Sequence, residues 1–239
     1  MAADDHKPMT TYTVSPALVL AAFGTAIFLS AALLFAVQPM FTKMVLPRLG
    51  GSPSVWSVAL VFFQAMLLLG YIYAHFLMRH LPVRLAIIIH VAILIGASLA
   101  LPLSMASRWG TPPSEGEAFW LLGLFAASIG LPFFALSANA PLLQAWFART
   151  DHPAARDPYF LYAASNVGSF LALLSYPFVI EPFTRLGEQQ GAWSVGFYIL
   201  ILLVAACGFL LSRSHAPSML ADEGVSGEVA PPTWRQAAT

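Results

Sequence analysis

The sequence predicts an all-α polytopic membrane protein, a bundle of about six transmembrane helices, and three observations carry that prediction. Six apolar stretches of about 17–24 residues occupy most of the 239-residue chain. About 20 helical residues, at 1.5 Å rise each, cross a hydrocarbon layer about 30 Å thick. Charged residues make up only 9% of the chain and fall almost entirely between the stretches, against about 25% in soluble domains. Hydrophobic residues reach 59%, and the mean hydropathy is +0.75. Inside a bilayer the backbone must satisfy its own hydrogen bonds, so each stretch is expected to be a helix.

The predicted spans run from Ala17 to Val37, Val55 to Met78, Leu85 to Leu101, Ala118 to Leu136, Tyr159 to Ile180 and Ala192 to Leu211. They define a transmembrane domain over 17–211, preceded by a cytoplasmic segment over 1–16 and followed by a flexible cytoplasmic tail over 212–239. The first span is expected to be retained rather than cleaved as a signal. Asp4 and Asp5 oppose a basic n-region, and no small-x-small cleavage site follows. The first link closes through Pro47 to Pro53, where Ser52 or Ser54 can cap the second helix. Trp56, Trp109, Trp120, Trp146 and Trp193 fall near span ends and suit interfacial anchoring.

The fourth stretch can stay helical as far as Phe147, which exceeds the hydrocarbon thickness. Pro132 and Pro141 interrupt it, each removing a backbone donor, and Ser137, Asn139 and Gln144 fall around the second break. Two outcomes are open. A broken helix with polar side chains can line a transporter cavity; otherwise the helix leaves the membrane near Asn139 and continues along the surface.

The fifth stretch carries a packing signal. Ala164, Gly168 and Ala172 recur every fourth residue, a small-xxx-small face that admits a second helix at close range. Pro158 suits its first turn, with Asp157 as the cap before it. Intramembrane polar groups are few, and such groups are functional candidates by default. Gln64, Asn139, Gln144 and Asn166 are the candidates for a cavity or ligand site. His90 is isolated in span three, and Tyr73 and His75 approach the end of span two.

Lysine and arginine set the expected orientation. Lys7, Arg79, Arg84, Arg149, Arg156, Arg213 and Arg235 fall on the face of both termini, against Lys43, Arg48, Arg108 and Arg185 on the other. The expectation is a multi-pass protein of the bacterial inner membrane with both termini cytoplasmic. Net charge is zero, so no nucleic-acid partner is expected. Cys207 is the only cysteine and forms neither an internal disulfide nor a cysteine metal site. No H-E-x-x-H, G-x-S-x-G, P-loop or C-x-x-C motif occurs. No metal, cofactor or catalytic residue is expected.

Two stretches carry a resemblance to a known family. One is Leu34-Phe35-Ala36-Val37-Gln38-Pro39-Met40-Phe41-Thr42-Lys43-Met44-Val45-Leu46-Pro47-Arg48-Leu49-Gly50-Gly51-Ser52-Pro53, followed by Val55-Trp56. The other is Pro158-Tyr159-Phe160-Leu161-Tyr162-Ala163-Ala164-Ser165-Asn166-Val167-Gly168-Ser169. Both resemble the membrane region of bacterial fused major-facilitator and spermidine-synthase-like proteins. The resemblance implies half of a major-facilitator-type bundle followed by a Rossmann-like aminopropyltransferase-like domain. This chain has no such soluble domain and therefore looks like an amino-terminal fragment or a short relative, so polyamine synthesis is not carried over. Gly70 matches the major-facilitator loop motif, but Ala74 stands where that motif has an aspartate. Two functions follow as expectations: a transporter-like small-molecule-binding module that is half of a larger bundle, or a structural anchor or assembly partner. Its partners would be the lipid bilayer and either a membrane protein or the missing second half.

Overall fold

The structure, a computed structural model, describes residues 15–49, 53–105, 109–113 and 115–214. The expected N-terminal segment up to residue 14 and the tail from 215 lie outside the described residues. So does Ser52, while Ser54 lies within the first turn of the helix that opens at Pro53.

Among the described residues every regular element is a helix: α1 (Pro16–Leu49), α2 (Pro53–His80), α3 (Val83–Ser98), α4 (Glu117–Phe147), α5 (Tyr159–Ser175), α6 (Glu181–Phe183) and α7 (Leu186–Arg213). A π-helical turn, Tyr176–Ile180, joins α5 to α6 into one path over Tyr159–Phe183. Pro177 lies in that turn and has no N–H for the regular ladder. Among the described residues five helical paths are long and apolar enough to cross a membrane; α3, at 16 residues, is shorter. At 1.5 Å per residue α3 spans about 24 Å. The chain is a multi-pass helical membrane bundle.

Three elements outrun the apolar stretches that announced them, and one of these, α7, already begins at Leu186, ahead of Ala192. α1 continues from Val37 to Leu49 although it contains Pro39 and Pro47. Side chains bond the carbonyls along this stretch: Gln38 Nε2 donates to the Leu34 carbonyl and Thr42 Oγ1 to the Gln38 carbonyl. The expected first link is thus mostly helix. α4 likewise runs through Pro132 and Pro141. Beyond Asn139 it stays inside the bundle rather than turning onto a surface, because Leu142, Leu143, Trp146 and Phe147 are all fully buried. Asp157 caps nothing, since the residue before α5 is Pro158 and no side chain bonds its first turn.

The packing follows an exchange pattern. α1 packs along α5 and α2 along α4, these being the two most extensive pairs, while α1 meets α7 and α4 meets α3. Exchanging the triplet α1–α2–α3 with α4–α5–α7 maps each pair onto its partner. The most extensive contacts are thus arranged as between two three-helix halves packed on each other. α1 and α4 form the centre, where Phe41, Phe62, Phe63, Phe125 and Phe133 meet edge-on or tilted with centroids 4.8–5.6 Å apart.

Candidate functional site: a buried histidine–amide cluster

Small residues set the distances between helices. A Cβ on Gly70 of α2 would lie 1.9 Å from Ser137 Oγ and 3.0 Å from the Ala138 backbone nitrogen. The bare glycine therefore lets α2 and α4 touch. Ser137 Oγ lies 2.7 Å from the Phe134 carbonyl of its own helix and 3.2 Å from the Met66 carbonyl of α2. This contact fixes α2 against α4 and brings Tyr73, one turn beyond Gly70, to the level of the second proline break.

There α3 supplies His90. Its Nε2 lies 2.7 Å from Asn139 Oδ1, and both side chains are fully buried. Because the amide oxygen only accepts, Nε2 carries the proton and Nδ1 presents a lone pair. The Tyr73 ring lies 5.9 Å from His90 between centroids, and Trp146 meets it edge-on at 6.2 Å. Four buried polar atoms of these residues have no hydrogen-bond partner: Tyr73 Oη, His90 Nδ1, Asn139 Nδ2 and Trp146 Nε1. Three can donate and the histidine nitrogen accepts. An unpaired buried group costs roughly 1–3 kcal/mol, so four around one histidine make this cluster the candidate site.

The other amide candidates do not join it. Gln64 is exposed on the outer face of α2, Asn166 is exposed on the outer face of α5, and Gln144 is half-buried on α4. Ala164, Gly168 and Ala172 face inward. A Cβ on Gly168 would lie 2.4 Å from the Phe28 carbonyl oxygen, so α5 rides directly on the α1 backbone.

Sequence reasoning named Asn139 but left His90 without a partner, because 49 residues separate them. Trp146 was expected at an interface and is instead fully buried beside His90. Trp193 is buried too, donating to the Leu33 carbonyl at 2.9 Å. Trp109 and Trp120 bond each other's carbonyls reciprocally, and only Trp56 of the five is exposed. Among the described residues no three His, Cys, Asp or Glu side chains gather to hold a metal.

Comparison with protein-family models, curated proteins and solved structures gives no match to this chain.

Proposed function

We propose that the chain is a membrane-embedded assembly module whose outer helix faces dock on further transmembrane helices. The observation that carries this reading is the placement of two amides. Gln64 and Asn166 sit exposed on α2 and α5, among exposed Leu60, Val61, Leu68, Val167 and Phe170. In hydrocarbon an amide gains little from lipid, whereas an amide or hydroxyl on a neighbouring helix can satisfy it, at about 0.6–2 kcal/mol per contact. The reading accords with the resemblance to the amino-terminal half of a major-facilitator-type bundle. It takes the termini as cytoplasmic, following the excess of arginine at that end, and assigns the chain no group-transfer chemistry.

Cross-linking in native membranes tests it. Single cysteines at Ala65 or Ala163, in a chain carrying Cys207→Ser and labelled with a maleimide photocross-linker that inserts into C–H bonds, should give adducts with another membrane helix on illumination. A cysteine at Leu202 on the exposed side of α7 should give none. Adduct formation that does not distinguish these faces would defeat the proposal.

A second reading, transporter-like binding of a small polar molecule, is favoured by the cluster around His90. A guest with one acceptor and one donor would meet the Asn139 amide or Trp146 indole N–H on one side and His90 Nδ1 on the other. Saturable stabilisation of the purified chain by short primary amides, lost in Asn139→Leu, would establish it. A flat response to that panel would remove it.

A further inference from the structure

An open cavity of the bundle lies away from both the His90 cluster and the amide-bearing faces. It has a volume of about 660 Å³ and opens where the start of α3, the end of α4, the 148–158 connection and the end of α7 meet. Arg84, Arg149 and Arg156 line it, and among the described residues Asp151 is the only carboxylate in its wall. Among the described residues none of the three arginines pairs with a carboxylate. Arg149 Nη1 donates to the Ala145 carbonyl at 3.1 Å and reaches Met78 Sδ at 4.0 Å, which leaves the Nε and Nη2 donors for a ligand. His152 accepts from the Ala154 N–H through Nδ1 at 3.0 Å, so its Nε2 carries a proton and can donate. The first turn of α3 has no side-chain cap, and the positive end of its dipole faces the same region.

The deeper wall is apolar. Ile87 of α3 and Leu211 of α7 lie in the lining. A Cβ on Gly208 would sit 2.5 Å from Ile87 Cγ2, so α3 and α7 touch there and close the floor. A rim of three guanidinium groups above an aliphatic wall, at the ends of membrane helices, matches an ion that is anionic at one end and greasy at the other. Basic pockets between transmembrane helices bind phosphate-bearing head groups in this way, and the arginine fork suits phosphate oxygens.

We propose that this cavity binds the phosphate of an anionic phospholipid, held by Arg84, Arg149 and Arg156, with the glycerol and first methylenes against Ile87 and Leu211. Inorganic phosphate offers the same oxygens, but it leaves the aliphatic wall unused.

Native mass spectrometry of the full chain in detergent tests the proposal, with phosphatidylglycerol, phosphatidylcholine or inorganic phosphate as the added probe. The expected result is one phosphatidylglycerol retained about tenfold more tightly than phosphatidylcholine. Arg84→Gln/Arg156→Gln should weaken that retention roughly tenfold or more, at about one surface-charge contact per arginine. Arg84→Lys/Arg156→Lys should lose less, and Arg79→Gln, outside the cavity, should change nothing. If about 20 mM inorganic phosphate leaves the lipid in place, the source is the head group. If it displaces the lipid and stabilises only chains with the arginines intact, the site stands and its source is free phosphate. Equal retention of the two lipids by the wild type overturns the proposal, whether or not the variants fold. So does an equal loss in Arg79→Gln.

Discussion

α4 and α5 begin from similar material and end in opposite situations. Both carry small residues and one asparagine in an apolar run; α4 contains Pro132 and Pro141, and the path that continues α5 meets Pro177 and Pro182. In the most apolar window of each, 56% of α4 is buried inside the chain but only 17% of the Tyr159–Phe183 path. α4 meets α1, α2, α3 and α7, whereas α5 packs extensively on α1 alone. Their asparagines follow suit, since Asn139 is enclosed and bonded to His90 while Asn166 faces outward. Both paths are apolar enough to cross a membrane, and what separates them is how many neighbours each one packs against. On α5 one glycine serves one neighbour, and the rest of the surface is left to lipid or to a partner.

The largest expected effect comes from that single attachment. Gly168→Leu places a side chain where a bare Cβ would already be 2.4 Å from the Phe28 carbonyl oxygen. The obstacle is backbone and cannot swing away. α5 must leave α1, at about 3 kcal/mol or more, and the yield of monodisperse folded protein should collapse. Ala163→Leu, on the exposed side of the same helix, should be tolerated. Equal yields and thermal midpoints for the two variants would show that α5 is not held by this contact.

A smaller effect is expected inside α4. Asn139→Leu leaves the His90 Nε2–H buried without an acceptor, a loss of roughly 1–3 kcal/mol. Adding His90→Leu removes the stranded donor, so the double variant should cost less than the sum of the singles by about 1 kcal/mol or more. Thermal denaturation of the four proteins in one detergent closes the cycle. Strict additivity would mean that the 2.7 Å contact contributes nothing.

These two sites differ in how visible they were beforehand. Ala164, Gly168 and Ala172 announce a close helix contact by spacing alone, because residues four apart share a helix face. The periodicity does not name the neighbour, which is α1. The His90–Asn139 pair leaves no such trace, since its members belong to α3 and α4 and are joined only by tertiary packing. The helices themselves were legible because an apolar run in lipid has one backbone solution. Their ends were not. Pro39 and Pro141 look like stops, yet Gln38 and Thr42 bond carbonyls around the first break, and burial on several sides holds α4 together beyond the second. Trp146 and Trp193 were misplaced for a related reason. An indole near a span end suits an interface, but these ends are packed against other helices.

The smallest effect should come from the outer face of α5. Asn166 is exposed, and among the described residues its side chain makes no hydrogen bond. Asn166→Leu removes an amide that the isolated chain does not use and substitutes a side chain that hydrocarbon accepts more readily. Its folding stability should therefore stay within about 0.5 kcal/mol of the wild type, or rise slightly. The same substitution should nevertheless reduce adducts formed from a cysteine at Ala163, because the amide matters only when a second helix is present to meet it. The two measurements separate the faces of one helix, since Gly168 governs whether α5 stays on its own chain and Asn166 governs what else it meets. A drop in the isolated chain's stability as large as that of Gly168→Leu would mean that Asn166 is an internal residue. Unchanged adduct formation would mean that the outer face of α5 recognises its neighbour without the amide.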